Sequence, residues 1–581
     1  MSDEKPATPT SDRSRLNQFK NIGKHEEARR RRAEGSVELR KQRKDDQLNK
    51  RRQIDVNDSE EGTEDENGSE IVESESDGLS STANTTTDEE GVKTADAATK
   101  KEDKTAKQQS QPTMTIEKAK EILLNEPTEE QAVEWVQWLR KLLSRQNKPP
   151  VDQVIQAGLL PVLVRGLVVD NRQVQLDSAW ALTNVVSGTT EQTKAAVEAG
   201  ALTTLVQLLT ATTDVEIADQ TLWALGNIVG DCAALRDVAI GAGLLPALFR
   251  FLNDPLTLPK SFAANLAWMF SNVARHKDPR PDFEVLQAIT PYVKALLFHH
   301  DEGIVGDACW AMTYVSDGND AQINLLAVDP QLLGRLVQLL DSKKPPLIAP
   351  ALRALGNVVT GDDKATQAVL EAGALKGDLG SMLLSEGGAA GSGRSQATRK
   401  EGCWLVSNVC AGSFDQIQTV LDTDKIMDGV LHCLNTGDSR VKMEAGWVLG
   451  NIAQVASWDQ IHSLTQACPN LIETICHWLD VSNSPNLTVN LLDALYAVLM
   501  SSKVLDPTGV SLDELGLAVE ECDGLDKLEK LQYSESERVY KKAQQLIEMF
   551  FSDEEEEGKE ENKENAAPFL VDDGSDAAFE F

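Results

Sequence analysis

The chain of 581 residues lacks most of the features that mark other classes of protein. Met1 to Lys20 is polar throughout, so no secretory signal is expected. No run of 18 apolar residues occurs, and no membrane-spanning segment is expected. The eight cysteines (Cys232, Cys309, Cys403, Cys410, Cys433, Cys468, Cys476, Cys522) form no CxxC pair and lie mostly in apolar helical stretches. They read as reduced core thiols of a cytosolic or nuclear protein. The seven histidines are dispersed. With no P-loop, nucleophile elbow or metal-ligand spacing, the expectation is no catalytic residue, no metal, no cofactor and no enzymatic activity. Aromatics make up only 5% of the chain, yet ten tryptophans outnumber five tyrosines. That inversion asks where the tryptophans sit.

What is present is charge, and it is segregated. The formal net charge is −35, which argues against direct binding of nucleic acid by the chain as a whole and favours basic partners. Between Arg13 and Arg52, however, 15 Lys/Arg face 6 Asp/Glu, a net of +9, so the remainder carries −44. The composition divides the chain into a basic arm, 1–54; an acidic, Ser/Thr-rich linker, 55–115; a helical body, 116–551; and an acidic tail, 552–581. The arm has too few apolar residues to build its own core, and is expected to become helical on a partner. Its densest positive blocks are Arg29-Arg30-Arg31-Arg32 and Lys50-Arg51-Arg52.

The body repeats itself. SAWALTNVVSG (Ser178–Gly188), TLWALGNIVGD (Thr221–Asp231), LAWMFSNVARH (Leu266–His276), ACWAMTYVSDG (Ala308–Gly318), ALRALGNVVTG (Ala351–Gly361), GCWLVSNVCAG (Gly402–Gly412) and AGWVLGNIAQV (Ala445–Val455) are variants of one string. Their key positions, Trp180, Trp223, Trp268, Trp310, Arg353, Trp404 and Trp447, are spaced 43, 45, 42, 43, 51 and 43 apart. A period near 42 is that of armadillo-type repeats, two or three helices each. The one long interval holds a Gly-rich insertion, 386–394. A second signature, as in AGLLPVLVRGL (Ala157–Leu167), places a helix-stopping glycine before the next helix. Such repeats bury their apolar faces only when stacked, which predicts an all-α solenoid with an inner concave face.

Trp and Asn recur at i and i+4: Trp180/Asn184, Trp223/Asn227, Trp268/Asn272, Trp404/Asn408 and Trp447/Asn451. On a helix those positions share a face. A core face would not carry an amide beside every indole unless each amide found a buried partner, so the tryptophans are expected to line an accessible groove. Each Asn can clamp the N–H and C=O of an extended peptide. The indoles suit the stem and charged end of Lys or Arg, at roughly 0.5–2 kcal/mol per cation–π contact. Asp231, Asp307, Glu401 and Glu444 would hold the charged ends. Tyr314 replaces one Asn and Arg353 one Trp, splitting the full pairs into groups of three and two. The ligand would thus carry one basic cluster, or two joined by a spacer.

On these strings the sequence resembles the importin-alpha family of nuclear import adaptors, across the arm and the whole repeat body. The arm from Arg13 to Arg52 resembles the importin-beta-binding segment, and WALTNVVSGTTEQTK and WALGNIVGD are close to diagnostic. The resemblance implies a right-handed superhelical α-solenoid of about ten armadillo repeats preceded by the importin-beta-binding arm. It implies a major site for basic nuclear localisation signals at Trp180, Asn184, Gly188, Thr193, Trp223, Asn227, Asp231, Trp268 and Asn272. A minor site is implied at Asn357, Asp363, Thr366, Glu401, Trp404, Asn408, Glu444, Trp447 and Asn451. It assigns importin-beta binding and autoinhibition to Arg29, Arg30, Arg31, Arg32, Arg40, Lys41, Arg43, Lys44, Lys50, Arg51 and Arg52, the last three imitating cargo. Implied partners are cargo proteins with mono- or bipartite signals, importin-beta, and an export receptor with Ran-GTP, the last through C-terminal repeats that include GLDKLEKLQ (Gly524–Gln532). Nucleoporins are a further candidate, and the implied location is cytoplasm and nucleus, with shuttling between them. The rival readings are another armadillo scaffold, of the catenin type, whose grooves are basic and favour acidic ligands, or a basic arm that binds RNA or serves as the protein's own import signal.

Overall fold

The computed structural model describes Arg51 and residues 114–342, 344–385, 396–480 and 484–552. Of the residues assigned above to the arm, Arg29, Arg30, Arg31, Arg32, Arg40, Lys41, Arg43, Lys44, Lys50 and Arg52 lie outside the described residues, as do most of the linker, the Gly-rich insertion and the tail. The described chain is helices joined by short turns, with no strand among the described residues.

The Trp/Asn strings all fall on the longest helix of their repeat. Two compact units divide these helices. The first unit contains Arg51 and residues 114–315. Its inner helices are α1 (Glu129–Leu143), α2 (Arg172–Val186), α3 (Val215–Asp231), α4 (Lys260–Arg275) and α5 (Glu302–Ser316, whose last residue falls in the second unit). The second unit, from residue 316, contains α6 (Pro345–Val358), α7 (Gln396–Cys410), α8 (Ser439–Val455) and α9 (Pro485–Leu505). In the first unit α1 packs on α2, α2 on α3 and α3 on α4; in the second, α6 packs on α7, α7 on α8 and α8 on α9.

Local chemistry sets this pattern. Between α2 and α3 the chain makes two shorter helices, Thr190–Glu198 and Ala201–Ala211, separated by Gly200 at φ +93°. Gly158, Gly243 and Gly373 occupy the same left-handed position in other repeats, where an L side chain is strained and glycine is not. The short helix opens on a capping box in which a Ser, Thr or Asn and a Gln three residues on satisfy each other's backbone N–H groups. Thr189/Gln192, Asn319/Gln322, Ser413/Gln416 and Ser457/Gln460 all do this. Leu182, Leu225, Leu266 and Val273 in the first unit, and Leu355, Val406 and Val448 in the second, are fully buried, each contributing about 1.5–3 kcal/mol of apolar burial. All eight cysteines are free thiols; six are buried, and Cys232 and Cys522 are partly exposed.

The expectation of no apolar segment long enough for a membrane needs one correction. Helix α9 is 21 residues long and apolar enough to pass that test, but 78% of its apolar window is buried within the protein. It is apolar because it is surrounded by helices, including α8 and Glu537–Phe550.

Candidate functional site

Arg51 shows what the inner helices can do. Its backbone N–H donates to Asn227 Oδ1 at 2.8 Å, and its carbonyl accepts from Asn227 Nδ2 at 3.0 Å and Trp223 Nε1 at 2.8 Å. Its guanidinium lies 4.6 Å from the centre of the Trp268 ring, and Nη2 donates to Asp307 at 2.8 Å. Residues from α3, α4 and α5 therefore converge on one arginine: an amide that grips the main chain, an indole under the cation and a carboxylate at its end. Burial pushes the Asp307 carboxyl up, while Arg51 pulls it back down.

The ladder is built by its own helices. On α3, Gly226 precedes Asn227; a Cβ there would stand 2.3 Å from the Trp268 ring. On α6, Gly356 stands in the same relation to Trp404, at 2.2 Å. The glycine before each of these asparagines is thus the seat of the next indole. Trp268 is only 4% exposed because it is set between Gly226 and Arg51, whose guanidinium covers its face. Trp180, Trp223, Trp404 and Trp447 are partly exposed.

A second correction concerns the asparagines, which were expected to face the ligand because a buried amide needs a buried partner. They have such partners. Asn184 Nδ2 donates to Ser144 Oγ, Asn227 Nδ2 to the Thr183 carbonyl, and Asn272 Nδ2 to the Gly226 carbonyl. In the second unit Asn357 donates to Ser316 Oγ and Asn451 to the Ser407 carbonyl. Asn408 instead donates to the Trp404 carbonyl of its own helix. Asn184, Asn227, Asn272 and Asn357 are buried. Most of these amides tie a helix to its predecessor, and Asn227 holds a main chain as well.

The other expected residues divide similarly. Thr193 and Thr366 are buried, with hydroxyls donating to carbonyls at the turns: Val186 and Thr189, and Val359 and Asp362. Gly188 has a local cause, since a Cβ would collide with the Gln192 side chain of the capping box at 1.8 Å; Gly318 and Gly412 repeat this against Gln322 and Gln416. Asp231 accepts from Thr190 Oγ1 at 3.1 Å. Asp363 opens the helix Asp363–Glu371, and Glu444 lies on α8, three residues before Trp447. Glu401 was expected to receive a ligand cation, but it is 5% exposed and ion-paired to Arg353 at 2.5 Å. The Arg353 guanidinium also lies 4.8 Å from the centre of the Trp404 ring.

That last arrangement has a counterpart which the sequence reading missed. In the first unit Arg140 on α1 lies 4.4 Å from the Trp180 ring centre and is ion-paired to Asp177 at 2.7 Å. Asp177 and Glu401 each stand three residues before the tryptophan concerned. Arg140 and Ser144 occupy the Trp and Asn places of a repeat one period earlier than Trp180. The signal was available: an Arg at i and a Ser at i+4, one period upstream.

Comparison with known proteins agrees with this anatomy. Residues 15–133 match the importin beta binding domain, 147–187 and 189–230 the armadillo/beta-catenin-like repeat, and 513–568 the atypical Arm repeat. An engineered protein of known crystal structure superposes with a TM-score of 0.63 at 26% identity, over 74% of this chain and 98% of its own. Helical repeats bearing an importin-beta-binding domain define the class: an armadillo-repeat transport protein. The chain is 40% identical over 554 residues to importin subunit alpha-2 of Caenorhabditis elegans, covering 95% of each. It is 35% identical to importin subunit alpha-4 of Arabidopsis thaliana, over 74% of this chain and 78% of that one. The chain belongs to the importin-alpha family; it is a nuclear import adaptor that binds importin-beta, and it is not an enzyme.

Proposed function

We propose that the inner helices of the first unit are the major site for lysine- and arginine-rich localisation signals of cargo, and those of the second unit the minor one. In this reading Trp180, Asn184, Gly188, Thr193, Trp223, Asn227, Asp231, Trp268 and Asn272 form or support the first, with Asp307 added. Asn357, Asp363, Thr366, Glu401, Trp404, Asn408, Glu444, Trp447 and Asn451 form or support the second, with Glu401 acting through Arg353. Segment 1–54 is the importin-beta-binding arm, 55–115 its linker, 116–551 the armadillo-repeat solenoid and 552–581 the tail. Lys50-Arg51-Arg52 imitates cargo and inhibits the free adaptor; importin-beta relieves the block by taking the arm. The C-terminal repeats serve an export receptor with Ran-GTP, nucleoporins are further partners, and the protein shuttles between cytoplasm and nucleus.

The single observation that carries this reading is Arg51: its main chain is gripped by Asn227 and Trp223 while its guanidinium stacks on Trp268 and pairs with Asp307. Any lysine or arginine in an extended segment meets the same groups, so the contacts select charge and stem rather than a particular sequence. The experiment is binding of a fluorescent lysine-rich peptide to the full chain and to the variant with Lys50, Arg51 and Arg52 all changed to Ala. Tighter binding by the variant is the expected result. Equal binding removes autoinhibition, and no binding by either protein removes the cargo site.

A further inference from the structure

The cation–indole–carboxylate trio formed by Arg51, Trp268 and Asp307 occurs twice more without the arm. Arg140, Trp180 and Asp177 make it in the first unit, and Arg353, Trp404 and Glu401 in the second. In both cases the arginine comes from the preceding repeat, in the place where later repeats carry tryptophan, and the acid stands three residues before the indole. In both cases the indole is the first of its run. The ion pairs are far less exposed than that of Arg51: side-chain exposures are 9% and 3% for Arg140 and Asp177 and 13% and 6% for Arg353 and Glu401, against 38% and 26% for Arg51 and Asp307. The scaffold arginines thus occupy, from within the helices, the kind of position that Arg51 of the N-terminal segment occupies over Trp268.

We propose that Arg140 and Arg353 are built-in end-stops, each filling the cation position over the first indole of its run and so fixing how many consecutive basic side chains that run accepts. The inference rests on the reading of the two runs as cargo sites and adds the residues that set cluster length. A ligand side chain meeting Arg353 finds the Trp404 face covered, Glu401 neutralised and a like charge ahead of it. Beyond the end-stops the runs differ in length: Trp223, Trp268 and Trp310 follow Trp180 in the first unit, while Trp447 alone follows Trp404 in the second. The first run is therefore built for a longer cluster of basic residues than the second. Arg353 and Arg140 are specificity residues that act by exclusion, which is why their effect is read in a ratio between ligands and not in the affinity for one.

The test uses the full chain and fluorescent bipartite peptides. The long basic cluster is kept constant, and the short cluster carries two or three basic residues, the third added at either end. In the parent protein the third residue is expected to leave affinity unchanged at the end that meets Arg353. In Arg353→Ala the same residue is expected to tighten binding about 2- to 30-fold, the span of one cation–π contact. Arg353→Met, which keeps the stem and loses the charge, gives the same gain if the alanine variant folds poorly. Arg353→Lys retains the parental ratio, and Arg353→Ala with Glu401→Ala keeps only the part of the gain that comes from the uncovered Trp404 face, since the released carboxylate is gone. An unchanged ratio in both Arg353→Ala and Arg353→Met, with bipartite binding intact, overturns the end-stop. Absence of bipartite binding in the parent overturns the cargo-site reading, and the end-stop with it.

Discussion

The two units solve the same problem with runs of tryptophan of different length. In the first, the arginine over the leading tryptophan is sealed in beside Asp177, and three further tryptophans follow it; Arg51 of the chain's own arm rests on one of them. In the second, Arg353 seals the leading tryptophan, and one follows. A sealed ion pair contributes little net stability, because the desolvation of both charges offsets their attraction. A half-exposed pair such as Arg51 with Asp307 gives up less hydration and can be exchanged. In the proposed reading, the contrast separates charges that define the groove from charges that read its contents.

The largest way to break the comparison is at the glycine seats. Gly226→Val drives a side chain into the Trp268 ring, and affinity for a single-cluster lysine-rich peptide is expected to fall about 30-fold or more, with overpacking costing about 1–3 kcal/mol. Gly356→Val displaces Trp404 instead and should leave that peptide within about twofold, while weakening the short cluster of a bipartite one. Fluorescence anisotropy measures both; equal losses for the single-cluster peptide would mean that the runs do not act separately. Next comes the main-chain grip. Asn227→Ala removes two contacts to a bound backbone and is expected to cost about tenfold, against a smaller loss for Asn451→Ala with the same single-cluster peptide.

Asp307→Asn should weaken single-cluster binding about 3- to 5-fold, the scale of a partly exposed ion pair. Burial raises the Asp307 carboxyl, so it takes up a proton at higher pH than an ordinary aspartate. Because the cation needs the ionised form, affinity for a basic peptide falls as pH drops through that raised value, and Asp307→Asn flattens the dependence. The last effect is on the first unit's own stability and not on binding. His276, at the end of α4, is held down to about 4 by burial and by Arg275 and Arg236. A depressed histidine leaves the folded state short of protons relative to the unfolded chain below the ordinary value of 6.5. Its contribution is therefore present above pH 6.5 and is lost as pH falls toward 4, the loss reaching about 2 kcal/mol by pH 5. Urea unfolding at pH 7.5 and 5 should show less acid loss in His276→Gln than in the parent.

Much of this was legible in the sequence, and the failures have physical causes. The period near 42 and the Trp/Asn spacing located every inner helix from α2 to α8, because stacked repeats must present the same faces at the same intervals. The grip of Asn on a main chain followed from the amide's paired donor and acceptor, and Arg51 is held in that way. Arg140 escaped because its repeat has neither the tryptophan nor the asparagine, at least one of which marks each of the others. Arg353 was read as a gap, since a substitution string shows that the indole is missing but not that a guanidinium reaches the next indole. Glu401 was consequently assigned to a ligand rather than to its neighbour. The buried asparagines were misjudged because each partner, such as the Thr183 carbonyl for Asn227, belongs to another repeat some 44 residues away, beyond any local pattern.

Asn227 has a consequence for how the first unit responds to occupancy. One side chain bonds the helix before it through Nδ2 and the segment lying on it through both Nδ2 and Oδ1. Whatever occupies the groove is thereby mechanically in series with the junction between α2 and α3. A bound segment acts as a splint: opening that junction requires letting go of the segment, so the protein is stiffened there by an amount set by the occupant's concentration relative to its dissociation constant. Exchange of the arm for cargo would then swap one splint for another, keeping the junction braced, whereas an empty groove is the state in which that joint is softest.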